Sequence, residues 1–177
     1  MAPYMPALIT AMAAGAVVLD IAVLGGVASL FGAGMRGSMR RFAQSYGLLA
    51  VLVLAVLSIA GTLLMQYAGA LAPCVLCWWQ RVFMYPIAFI AVVAFAKNAR
   101  FSEIADYVLA LSVVGFLIAL YQHLLQILPS GTLIPCDASG DCAVRSIFEF
   151  GFVTIPWMAL SVFAVLIVLS AYGRRSS

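Results

Sequence analysis

The sequence predicts an all-α protein, a polytopic transmembrane helix bundle with a four-helix core and one extra N-terminal transmembrane helix. Three observations carry this. Of 177 residues, 66% are hydrophobic and only 8% charged, with a mean hydropathy of +1.17. A soluble domain carries about 25% charged residues, so this chain cannot cover a water-facing surface. Its apolar runs are long enough for helices, since a span needs roughly 20 apolar residues. The period-two alternation of a lipid-facing barrel strand is absent. The net charge of +3 says nothing of nucleic acid, because the basic residues lie at helix ends.

Five hydrophobic segments stand out, at about 7–31, 46–68, 79–96, 105–128 and 151–172. In the first, Gly15, Gly25, Gly26, Gly32 and Gly34 suit a closely packed transmembrane helix. A cleaved signal peptide would be shorter and would carry a basic n-region. Asp20 lies near its middle, where an acid costs roughly 2.5–3.5 kcal/mol on insertion scales. It reads either as a proton-handling group or as an acid protonated or hydrogen-bonded against a neighbouring helix. Residues 1–45 are expected to form this extra helix and a basic loop, and residues 46–177 a four-helix bundle.

The connections after the first, third and fifth segments carry Arg36, Arg40 and Arg41, then Lys97 and Arg100, then Arg174 and Arg175. With five spans these fall on one side and hold seven of the nine basic residues. The positive-inside rule makes that side cytoplasmic. The N-terminus and all four cysteines are then expected outside, where disulfides persist.

Those cysteines form two close pairs, Cys74 with Cys77 and Cys136 with Cys142. Pro73 suits the start of a helix, having no N–H to donate and a preset φ. Cys74 and Cys77 are expected in the first turn of the third span, on one face and within bonding reach. Unpaired N–H groups and the macrodipole there favour a thiolate. Arg81 follows Cys77 by four residues, one turn deeper on the same face. A charge kept just inside the bilayer has a partner as a rule; a thiolate or the oxygen of a bound electron acceptor is the natural one. Arg81 also reads as a residue snorkelling to the headgroups. The pair itself also reads as a structural disulfide, or as half of a four-cysteine zinc site. Cys136 and Cys142 flank a polar segment with Asp137, Gly140 and Asp141. A disulfide closing so small a ring stabilises little and suits exchange better than stapling; a purely structural role is the alternative.

At these residues the chain resembles the disulfide bond formation protein B (DsbB) family. The run Cys74-Val75-Leu76-Cys77-Trp78-Trp79-Gln80-Arg81, continuing Val82-Phe83-Met84-Tyr85-Pro86, is similar to that family's signature around its first cysteine pair. Tyr121-Gln122-His123-Leu124-Leu125-Gln126 resembles the end of its third helix, and Gly151 to Leu160 the opening of its last. The likeness covers about residues 46–172.

The resemblance implies an inner-membrane disulfide oxidoreductase that reoxidises a thioredoxin-fold, DsbA-like extracytoplasmic oxidase and reduces a membrane quinone, ubiquinone or menaquinone. On matching positions, Cys136 would be attacked by the partner's thiolate. Cys142, released, would attack Cys74, and Cys77 would remain as the thiolate contacting the quinone beside Arg81. Trp78, Trp79, Phe83 and Met84 would line the quinone site, the tryptophans reading equally as an interfacial belt. His123 would donate to a quinone oxygen or serve in hydrogen-bonded packing. The first segment has no counterpart in the family's four spans, and the second pair is closer in sequence than in the best-known members. Vitamin K epoxide reductase-type enzymes place their loop pair before the C-x-x-C, the reverse of the order here. A structural or metal-binding membrane subunit with static disulfides is the reading from another class.

Overall fold

The computed structural model describes residues 5–70, 72–128 and 148–174. Cys136, Cys142 and Arg175 lie outside the described residues. Among the described residues five helices follow one another: α1 (Met5–Ala28), α2 (Ala33–Tyr67), α3 (Val75–Ala96), α4 (Phe101–Ile127) and α5 (Ile155–Gly173), with a 3-10 turn at Ser29–Phe31 between the first two. All five are long and apolar enough to cross a membrane.

Local chemistry sets the boundaries. Gly32 is extended and caps α2, and the Arg36 guanidinium donates back to the Leu30 carbonyl, folding the connection tightly. The expected loop over residues 32–45 is shorter than the sequence suggested, because α2 already begins at Ala33. Met, Arg, Gln and Ala dominate this stretch and are good helix formers, so Arg36, Arg40 and Arg41 sit on the first turns of α2. The α3–α4 turn passes through Asn98 at φ 51°, a left-handed position that Asn tolerates better than most residues. At the start of α5 the Thr154 hydroxyl accepts from the Trp157 N–H at 3.4 Å, and Pro156 lies in the first turn, where its missing N–H costs nothing.

In the four-helix core α2 packs on α3, α3 on α4, α4 on α5 and α5 back on α2. Phe163, Ile87, Leu166, Val51 and Val108 fill the centre. Two close approaches depend on the absence of a side chain. The Phe163 ring lies directly over Gly115, and the Phe101 ring is seated between Gly47 and Gly173, so a Cβ at any of these glycines would collide with an aromatic ring. Small residues let membrane helices approach in this way. The outward faces are apolar, with Leu24, Leu57 and Phe89 all more than half exposed, as a lipid-facing surface requires.

The extra helix α1 lies along α5. At the cysteine end of the bundle Ile9, Ala13 and Ala16 pack with Val153, Met158 and Met65. At the opposite end the hydroxyls of Ser29 and Tyr172 are 2.6 Å apart, and Tyr172 donates to the Gly26 carbonyl at 3.1 Å. Between them Asp20 accepts from the Trp157 indole N–H at 2.9 Å. Of the two expectations for this acid, hydrogen bonding against a neighbouring helix is what the structure shows.

Candidate functional site

Cys74 is the N-cap of α3 and Cys77 lies in its first turn. Pro73 therefore precedes the cap and is not itself the first helical residue. The two sulfurs are 3.0 Å apart, and both cysteines are free thiols, half-buried at the cysteine end of the bundle. The helix start presents unpaired N–H groups to them, a setting that favours a thiolate. Within the pair Cys74 holds its proton: its thiol is pushed above the ordinary range, first by its hydrogen bond to the Cys77 sulfur and then by burial.

Gln122 of α4 supplies the nearest polar group. Its side-chain N–H donates to the Cys74 sulfur at 3.2 Å and to the Cys77 sulfur at 3.4 Å. Gln80, one turn after Cys77 and buried, donates to the Gln122 carbonyl oxygen at 2.7 Å. Neither glutamine was singled out from the sequence. The available signal was an uncharged amide within an apolar span, as at Gln80, Gln122 and Gln126, all buried; a buried amide needs a partner, and Gln80 and Gln122 find each other.

Arg81 is only 7% exposed, so it does not snorkel to the headgroups. One guanidinium N–H donates to the Gln66 side-chain carbonyl at 2.6 Å and another to the Thr62 backbone carbonyl at 3.2 Å, both on α2. Its Nε is buried with no hydrogen-bond partner among the described residues. The guanidinium also sits over the Trp78 ring, 5.1 Å from its centroid, a favourable cation–π distance.

Cys77, Gln80, Arg81, Met84 and Gln122 all line one cavity of about 560 Å³, otherwise walled mainly by apolar side chains of α1, α2 and α5. Several residues expected at such a site lie elsewhere. Trp78 and Trp79 are half-exposed on the outer surface, and neither they nor Phe83 line the cavity; Trp78 reaches the site only by covering Arg81. His123 is buried and also outside the cavity lining. Successive helical residues point about 100° apart, so with Gln122 on the sulfurs His123 turns to α5. There its Nδ1 is 3.2 Å from the Thr154 hydroxyl and its ring 4.9 Å from Trp157. This matches the packing alternative for His123.

Chemically the site joins a dithiol, amide N–H donors at both sulfurs, a buried cation with one N–H unpartnered among the described residues, and an apolar chamber. An acceptor with an apolar body and an oxygen that gains negative charge fits that set.

Comparison with known proteins agrees in kind. The family described as disulfide bond formation protein DsbB matches residues 40–173. Disulfide bond formation protein C of Bacillus subtilis is 35% identical over 118 residues, 66% of this chain and 83% of that protein. The probable disulfide formation protein of Oceanobacillus iheyensis is 35% identical over 137 residues, covering 73% and 92%. The SPbeta prophage-derived disulfide bond formation protein B of B. subtilis is 33% identical over 129 residues, covering 71% and 83%. No solved structure matches the chain.

Proposed function

The chain belongs to the disulfide bond formation protein DsbB family, and on that premise we propose that it is a membrane thiol:quinone oxidoreductase that reoxidises a thioredoxin-fold, extracytoplasmic thiol oxidase. The observation that carries the reading is the Cys74–Cys77 pair opening on the same apolar cavity as Arg81, whose buried Nε has no partner among the described residues. Arg81, with Cys77 beside it, would hold the acceptor's oxygen, and Met84 its apolar body. A quinone bound there supplies the two-electron sink.

The chain's own residues do the rest. A thiolate of the reduced partner attacks Cys136 of the Cys136–Cys142 disulfide, giving a mixed disulfide and releasing Cys142. The partner's second thiolate displaces Cys136 and leaves as a disulfide. Cys142 attacks Cys74, breaking the Cys74–Cys77 bond and releasing Cys77. Cys136 then displaces Cys74, which restores the Cys136–Cys142 bond. The two electrons now lie on the reduced Cys74–Cys77 pair and leave through Cys77, and the bond between the two re-forms. Gln122 stabilises negative charge on either sulfur during these exchanges, and Arg81 stabilises the charge that develops on the acceptor. The net result is one partner disulfide made for two electrons and two protons passed on.

By the positive-inside distribution, the cysteine end faces out of a bacterial cytoplasmic membrane and the C-terminus faces in. The exchange half of the cycle is tested with a reduced thioredoxin-fold oxidase whose second cysteine is replaced by Ser. With it the parent chain should accumulate a covalent adduct through Cys136 that dithiothreitol dissolves, and Cys136→Ser should accumulate none. No adduct of the parent on non-reducing electrophoresis would contradict the order of exchange.

A further inference from the structure

The family match begins at residue 40 and leaves α1 outside it, yet α1 walls the cavity that holds Cys77 and Arg81. It does so without closing on α2. Near the cysteine end the two helices meet where Met12 covers Gly61, and a Cβ there would lie 2.6 Å from the Met12 methyl. Beyond that contact both helices rest on α5, and they approach again at the far end, where the Met39 methyl lies beside Gly26. The cavity runs between them to Leu54, where a second apolar hollow of about 360 Å³ begins, lined by Ala22 of α1, Ala50 of α2 and Val165 of α5. Leu54 lines both. Thr62 marks the polar end, since it accepts from Arg81. Along α2, Leu54 lies about 12 Å and Ala50 about 18 Å from it. A Cβ at Gly15 would meet nothing within 4 Å, and Ala22 is exposed.

We propose that α1, which lies outside the family match, forms with α2 and α5 a groove that holds the isoprenoid tail of the membrane quinone, admitted from the lipid between α1 and α2. The inference rests on the functional reading above and gives α1 a role at that same site. One end offers a 7% exposed arginine whose buried Nε has no partner among the described residues; the remainder offers apolar surface, as a flexible hydrocarbon tail requires. A tail-less, water-soluble acceptor would leave that apolar length unfilled.

The test is equilibrium binding by the full chain in lipid nanodiscs, read by quenching of tryptophan fluorescence. Two probes share one dimethoxy-methyl-benzoquinone ring, one without a tail and one with a long isoprenoid chain. Partition into the bilayer favours the long-chain probe equally for every variant, so the change from parent to variant is what counts. Ala22→Phe obstructs the inner hollow, and Gly15→Leu fills open space on a helix face without a collision. Each should lower the preference for the long-chain probe about tenfold, as the lost burial of about two methylenes would. Unchanged preference in both variants, with both probes bound by the parent, overturns the groove and leaves the functional reading intact. Failure of the parent to bind either probe counts against both. Extraction of a stoichiometric phospholipid that excess long-chain quinone does not displace assigns the groove to an acyl chain and overturns the proposal.

Discussion

Gln80 donates its side-chain amide to the Gln122 carbonyl at 2.7 Å, and that bond holds the Gln122 amide against the cysteines, where its oxygen also accepts from the Cys77 thiol at 3.9 Å. With its oxygen held by Gln80, Gln122 turns its N–H groups to both sulfurs. A neutral pair of residues thereby presents a donor to a dithiol wherever negative charge develops.

Replacing Gln122 with Leu should therefore slow alkylation of the reduced Cys74–Cys77 pair at neutral pH by about tenfold, since a hydrogen bond to a charged group contributes about 1.5–3 kcal/mol. Gln80→Leu should produce a smaller effect in the same direction, because Gln122 is then held less firmly against the cysteines. Iodoacetamide kinetics in detergent check both. Equal rates in parent and Gln122→Leu would remove the amide from the account.

Arg81 is held by Gln66 and Thr62 of α2, and its Nε has no partner among the described residues. Arg81→Ala should raise the apparent KM for quinone about tenfold or more, while the rate of mixed-disulfide formation at Cys136 stays at the parent's level. Arg81→Lys keeps the charge but not the planar fork and should fall between the two. Steady-state kinetics at varied quinone read the first effect. An unchanged KM in Arg81→Ala would contradict the proposed contact.

Asp20 accepts from Trp157, whose ring in turn packs on His123. If this bond is the acid's role, Asp20→Asn should retain turnover, because its carbonyl still accepts. Asp20→Ala should destabilise the bundle by about 1 kcal/mol, as one net hydrogen bond does. Thermal unfolding and turnover of the two variants decide the matter. Loss of turnover in Asp20→Asn with stability intact would revive the proton-handling alternative.

Gly115 lies under the Phe163 ring, which is fully buried. Gly115→Ala should cost about 1–3 kcal/mol through overpacking, seen as a lowered unfolding midpoint. A compensating Phe163→Leu should recover part of the loss, and failure to recover any would place the strain elsewhere.

Much of this was legible in the sequence. Long apolar runs set the five spans, and C-x-x-C after a proline placed Cys74 and Cys77 at the start of α3 with their sulfurs together. The long α2 was less legible: three arginines looked like a connection, although nothing between Ala33 and Tyr46 stops a helix. The partners of Arg81 on α2 and of the cysteines on α4 depend on how helices distant in sequence rotate against each other, and local spacing carries no such information. For the same reason, sequence does not say that Gln122 meets the sulfurs while its neighbour His123 meets Thr154. The roles of Cys136 and Cys142 rest on the family's pattern and on chemistry, since both lie outside the described residues.

The central claim is that electrons leave the Cys74–Cys77 pair through Cys77 to a quinone. The most direct measurement is ultraviolet absorbance of quinone reduction by the purified full chain, supplied with a reduced thioredoxin-fold oxidase, with Cys77→Ser measured in parallel. The account predicts sustained turnover in the parent, one quinol for each partner disulfide, and none in Cys77→Ser. Turnover that survives Cys77→Ser, or a parent inactive with a quinone and a partner competent in a related enzyme, would contradict it.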